Sequence, residues 1–430
     1  MRPHVFLALA FSIAFAGASC GRTGSEASPQ PKPTPGTGPT ATATTTSPTV
    51  DGRAPGTTLH HVLGTGQSLA SGVGGNPVLS TTQPYDNRMF DTGVLAGGTG
   101  LTKLVPLVER DVETMSSSFA NLVTKLTRNA GGSHDMLFSV HAQGGAPYAS
   151  MKKGMPPYAV SIAQATAALA IARERGFAYD ITAVTSADGG GDHVAKNTRL
   201  AADLAEWQRD YETDLKALTG QTTPIPLFNT QYSSWTEYEA RSPIPLAQLQ
   251  AHVENPGKVI VVGPRYAFTY GPDGVHLTNE GYRLMGEYYA RAYRRVVVEH
   301  GIWEPLRPKT VTRAGAVITV KFLVPTPPLV VDTTLATDPG NLGFEYADDG
   351  PTTPAITSVA LAGPDTVTIT LAADPTGANR RIRYATTGIF RNPAGLRSGA
   401  RGNLRDSDTT PSLHGYPLFD WCVHFDEAVP

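Results

Sequence analysis

The chain has 430 residues, 40% of them hydrophobic and 17% charged, with a formal net charge of −2. That length suits two folded units, and the near-zero charge leaves no electrostatic case for binding nucleic acid or an anionic membrane surface.

The first segment, "MRPHVFLALAFSIAFAGASC", has a basic Arg2, an apolar run and then small residues up to Cys20. It is too short and wrongly flanked for a spanning helix and reads as an export signal. Small residues before a cysteine resemble the bacterial lipoprotein signal, which would make Cys20 the lipidated first residue of the mature chain. "GAS" stands where a Leu-led tripeptide is usual, so ordinary cleavage near Ala18 is the alternative. Residues 21–56 form a Pro/Thr/Gly/Ser tract that cannot bury enough apolar surface to fold, and are expected to act as a disordered tether. Together these features predict an exported protein, anchored at the bacterial cell surface or in the periplasm through its N-terminal lipid alone. A lipidated Cys20 leaves Cys422 without an intrachain partner, as a buried thiol.

From residue 57 to residue 301 short apolar runs alternate with helical patterns. "TLHHVLG", "DMLFSVH", "YDITAVTS", "PIPLFNT" and "KVIVVGP" have the length and continuity of buried parallel strands. Between them lie four helical stretches. In the third, Leu200, Leu204, Trp207, Tyr211, Leu215 and Leu218 make one packing stripe that ends at Gly220. Five strands alternating with helices predict a three-layer α/β/α domain around a parallel five-stranded sheet, with any site beyond the carboxyl ends of the strands. From 302 to 430 the texture turns Val/Ile/Thr-rich with Pro, Gly and Asp breaks, which predicts an all-β sandwich and a packed aromatic tail.

Two distant segments could share chemistry. "LGTGQSLASG" puts Ser68 in a small polar turn after the first strand, and "PDGVHLTNEGY" puts Asp273 and His276 three residues apart before the last helix, with Thr278 or Asn279 as its N-cap. A serine hydroxyl needs a base to take its proton, and a carboxylate can orient the imidazole that does so. The order of the elements brings both segments to one edge of the sheet. No His/Cys/Asp/Glu set has metal-ligand spacing, and no phosphate-binding glycine fingerprint follows a strand. His60 and His61 read as strand positions, one in the core and one under a helix; His141 could line the cleft, and His193 could support it.

On these motifs the chain from about Leu59 to Gly301 resembles the SGNH (GDSL-type) hydrolases, in the branch of sialate O-acetylesterases and acetylxylan esterases. "VHAQGGAPYASMKKGMPPY" is similar to the family's second block. The resemblance implies a flavodoxin-like sheet and a Ser-His-Asp esterase mechanism without metal or organic cofactor. Ser68 would be the nucleophile, His276 the base and Asp273 its orienting acid. The oxyanion hole would take the Ser68 N–H and that of Gly144 or Gly145. The third block departs from the pattern, because "SADGGGDHVAKN" places Asp188, Gly189 and Asp192 where a donor side chain is usual. Either N–H groups of the glycine run replace that donor, or Asn229 or Gln231 reaches in, or activity is reduced. The implied substrate is an acylated, most simply O-acetylated, polysaccharide or glycoside. The alternatives are a surface carbohydrate-binding protein on a weakened hydrolase fold, and an esterase for lipid or aromatic esters.

Overall fold

The computed structural model describes residues 57–430, which fall within one compact unit; the signal-like segment, Cys20 and the tether lie outside the described residues. Among the described residues no helix is long and apolar enough to cross a membrane. The five apolar runs become β1 (Thr58–Gly66), β4 (Asp135–Val140), β5 (Ala178–Ala187), β6 (Leu227–Gln231) and β7 (Val259–Pro264), all paired in parallel. Every residue of β4, β6 and β7 is buried, because helices cover both faces and leave no polar side to alternate with.

The sheet has seven strands rather than five. Two three-residue strands extend one edge, β2 (Arg88–Phe90) parallel to β4 and β3 (Leu104–Pro106) antiparallel to β2, giving the order β3-β2-β4-β1-β5-β6-β7. Three residues are too few to show a period in sequence.

Helices α1 (Ser116–Asn129) and α7 (Asn279–Tyr293) lie together on one face, where Phe119 and Tyr289 join Val62, Phe138 and Val261 in one core cluster. Two short helices, α2 (Tyr148–Met151) and α4 (Gly190–Val194), follow β4 and β5; on the other face α3 (Pro156–Arg175), α5 (Leu200–Thr219) and α6 (Ile244–Glu254) bury Leu63, Ile181, Leu227 and Val259. Val62 and Leu63 thus point to opposite layers, as the two-residue period of a strand requires. The α5 stripe is buried from Leu200 to Leu215, and Gly220 closes the helix at φ 78°. Thr278 caps α7, accepting from the Gly281 N–H, and the helix runs on past Tyr293 as a π-turn over Arg294–Val298.

Beyond residue 302 there are three antiparallel sheets among the described residues, a short pair of Val330–Val331 with Leu404–Arg405 and two larger sheets that face each other. One holds Arg307–Ala314, Val317–Leu323, Ile356–Leu361 and Thr366–Leu371; the other holds Phe344–Ala347, Arg381–Tyr384 and Phe425–Ala428. Alternate residues point inward, and Phe322, Phe344, Tyr384 and Phe425 meet ring to ring between the sheets. This core is continuous with the α1/α7 layer. The tail is tied to the α/β part by buried polar contacts: the Tyr266 hydroxyl donates to the Cys422 carbonyl at 2.5 Å, and Arg291 pairs with Asp408 and Asp420. Cys422 is a buried free thiol.

Candidate active site

The turn after β1 is glycine-rich because the two neighbouring strands crowd it. A Cβ on Gly64 would lie 2.7 Å from Val140 Cγ2, and one on Gly66 2.9 Å from the Ala187 backbone. Gly66 also holds φ +125°, which side-chain-bearing residues rarely adopt. The chain therefore leaves the strand sharply, and Ser68 sits half-buried at its carboxyl end.

His276 comes to the same point from the loop before α7. Its Nε2 lies 2.8 Å from Ser68 Oγ, and its Nδ1 lies 2.6 Å from Asp273 Oδ2. An ionised carboxylate only accepts, so the ring proton belongs on Nδ1 and Nε2 is bare toward the hydroxyl. The other oxygen, Asp273 Oδ1, accepts from the N–H groups of Val275 at 3.0 Å and His276 at 2.9 Å, which locks the carboxylate against its own turn. Burial pushes the Asp273 carboxyl up, but the bonds from the His276 ring and the two N–H groups outweigh it and hold it below its ordinary value. The Asp273 side chain is 52% exposed and that of His276 21%, so water screens the pair. The turn is packed from outside: a Cβ on Gly274 would meet Glu237 and, at 2.8 Å, Pro393 of the β-rich region.

The segment after β4 lies beside the serine turn, with the His141 N–H bonded to the Gly64 carbonyl at 2.9 Å and that of Gln143 to Gly66 at 3.0 Å. Gly144 and Gly145 follow at the exposed tip, Gly145 at φ +68°. The N–H groups of Ser68, Gly144 and Gly145 donate to nothing among the described residues, which leaves them open to a ligand. His141 is half-buried, and burial pushes its pKa down.

The "DGGGDH" segment braces this arrangement from behind. Asp192 accepts from the Tyr148 N–H at 3.2 Å and from Asn197 at 2.8 Å, and its carboxyl is pushed up to about 6 by burial and by Asp188. His193 bonds Ser242 at 3.0 Å. Asp188 is fully buried; its carbonyl takes the Arg265 guanidinium, while neither carboxylate oxygen has a hydrogen-bond partner. Burial pushes that carboxyl up against the opposing pull of Arg265. Gly189, at φ +113°, leaves room for Tyr232. Gln231 does not reach the serine. Its amide nitrogen bonds the carbonyls of Pro245 and His424, and its oxygen accepts from the His424 N–H. Asn229 is wholly buried in the sheet, between Ser186 and Val261. His61 is a core residue bonded to Tyr179 and Ser139, and His60 pairs with Asp180 at 2.7 Å.

The loop that follows Ser68 is anchored by two buried glutamates that carry no signal of their own in the sequence. Glu113 Oε2 accepts from the N–H groups of Leu79 at 2.7 Å and Ser80 at 2.9 Å, pinning this loop, and Glu109 lies beneath it. Burial, and then the charge of Glu113, push the Glu109 carboxyl up from 4.5 to about 7. The folded state thus holds a proton that the unfolded chain releases, so the contribution of Glu109 to stability is full below about pH 4.5 and is lost as pH rises through 7. Glu109→Gln should remove up to about 3 kcal/mol of that pH dependence. Urea unfolding should find the variant and wild type alike near pH 4.5 and the variant more stable at pH 8. Equal stabilities at pH 8 would refute this.

No family model and no curated protein matches the chain. Among solved structures, a carbohydrate acetylesterase from Xanthomonas citri superposes with a TM-score of 0.52 at 14% identity, over 86% of this chain and 80% of that one. A protein from Arabidopsis thaliana (TM-score 0.40, 17% identity) and a lipase from a goat rumen metagenome (TM-score 0.27, 14% identity) each align over 54% of this chain and 97% of their own. The first of these likenesses, which spans both the α/β part and the β-rich part, shows a shared fold.

Proposed function

We propose that the chain is a serine esterase of the SGNH type that removes small acyl groups, foremost O-acetyl, from carbohydrate. The observation that carries this reading is the continuous Ser68–His276–Asp273 hydrogen-bond chain, 2.8 Å and then 2.6 Å, at the carboxyl edge of the sheet. The fold shared with a carbohydrate acetylesterase supports the choice of substrate class.

Ser68 Oγ attacks the ester carbonyl as its proton passes to His276 Nε2. The carbonyl oxygen becomes an oxyanion facing the open N–H groups of Ser68 and the 144–145 turn. Collapse breaks the bond to the sugar oxygen, which takes the proton from Nε2 and leaves an acyl-Ser68. Water, deprotonated by the same Nε2, then attacks the acyl carbon; the bond to Ser68 Oγ breaks as Nε2 returns the proton to it, and the carboxylic acid is released. Asp273 stays ionised and holds the ring in the reactive tautomer throughout. In this reading residues 57–301 carry the chemistry and residues 302–430 brace it, with Pro393 against the catalytic turn. The export signal, the Cys20 anchor and the tether would present the enzyme outside the cytoplasm.

The test is a fluorophosphonate probe followed by a substrate panel. Wild type should be labelled and Ser68→Ala should not, and acetylated xylo-oligosaccharides should be turned over faster than esters of long fatty acids. Absence of labelling would refute the serine mechanism, and a preference for long chains would refute the deacetylase reading.

A further inference from the structure

We propose that the side-chain amide of Gln67 is itself an oxyanion donor, its Nε2–H₂ completing the hole formed by the Ser68 N–H and the 144–145 turn. This rests on the esterase reading above and assigns that site a further catalytic residue.

Gln67 precedes the nucleophile and is only 6% exposed. Its Oε1 accepts from the Gly191 N–H at 2.9 Å. That bond fixes which way the amide faces, since a flipped amide would set N–H against N–H. Nε2 is therefore the free end. It has no hydrogen-bond partner among the described residues, and it is not among the side-chain atoms sealed from solvent without one. The residue before the serine thus carries an unpaired donor that is not sealed from solvent, on a side chain that is otherwise largely buried.

The glycine run makes room for this arrangement. A Cβ on Gly190 would lie 2.8 Å from Gln67 Nε2, so any larger residue there would push the amide aside. A Cβ on Gly191 would lie 2.5 Å from the Ala146 carbonyl group, so glycine lets its N–H come within reach of Oε1. Asp188 offers nothing in exchange, because its side chain is buried and its carbonyl is taken by Arg265. An amide N–H₂ held rigid in a confined cleft is poorly solvated before reaction, and a charge developing beside it is stabilised without reorganisation. The amide donates a hydrogen bond and keeps its protons, so the atom balance of the acylation step is unchanged.

The decisive variant is Gln67→Glu, which keeps an oxygen to accept from the Gly191 N–H but removes both donors. With 4-nitrophenyl acetate its kcat/KM should fall about 10²–10³-fold, mainly in kcat. The affinity for a boronic acid, which forms a tetrahedral adduct on the serine, should fall in parallel while the thermal midpoint holds. Gln67→Met, of similar length and without donors, should lose comparable activity and thereby exclude the new charge of Gln67→Glu as the cause. Near-wild-type kcat in Gln67→Glu would overturn the proposal, leaving only the tie to Gly191. So would a loss confined to Gln67→Met. If wild type itself hydrolyses no ester and takes no fluorophosphonate, the esterase reading fails first; an active wild type with an equally active Gln67→Glu sinks the donor role alone.

Discussion

Ser68→Ala and His276→Ala should each lower kcat for an acetyl ester by about 10⁴–10⁶-fold, and the double variant should be no worse than either single one. The hydroxyl is a nucleophile only while Nε2 accepts its proton, and the 2.8 Å contact makes the two groups one functional unit. Removing either partner removes the whole proton transfer, so nothing remains for the second substitution to subtract. Activity left in all three would come from the N–H groups of Ser68 and the 144–145 turn, which neither substitution touches. Additive losses would mean that His276 acts on something other than Ser68. Both side chains are partly exposed, so their removal leaves no sealed cavity, and folding should survive both. Circular dichroism and the unfolding midpoint check that point.

Much of this arrangement could be read from the chain because its parts are local or periodic. Buried parallel strands appear as continuous apolar runs, and the Leu200–Leu215 stripe follows the helical period. The α/β alternation alone brings Ser68 and the Asp273–His276 turn to one edge. The rest depends on contacts that leave no local trace. Gln231 bonds His424 across nearly two hundred positions, so the amide that looked available to the serine is committed to the C-terminal tail. In sequence the run 189–191 reads as a source of N–H groups in place of the missing donor. Its glycines are instead dictated by Tyr232, Gln67 and Ala146, none of them nearby in sequence. β2 and β3 are too short to announce themselves. The exposure of Asp273 depends on how far Glu237 and Pro393 cover its turn.

Asp273→Asn should be more damaging than Asp273→Ala, by about 10⁴-fold against about 10²-fold in kcat. Oδ1 of Asp273 accepts from two backbone N–H groups, those of Val275 and His276. An asparagine must keep its carbonyl oxygen there, since its NH₂ cannot accept. The NH₂ then takes the place of Oδ2, 2.6 Å from His276 Nδ1, and donates to it. Nδ1 becomes the acceptor, the ring proton moves to Nε2, and Nε2 points a hydrogen at Ser68 Oγ in place of a lone pair. The base is switched off by the wrong tautomer. Alanine loses the orienting charge but leaves the ring free to choose, and water can reach Nδ1 because the carboxylate it replaces is half-exposed. ¹⁵N chemical shifts of the His276 ring would read the tautomer directly, with Nε2 protonated in Asp273→Asn and mixed in Asp273→Ala. If the asparagine variant proves the more active of the two, then the Asp273 turn does not set the ring's tautomer, and its carboxylate acts through charge alone.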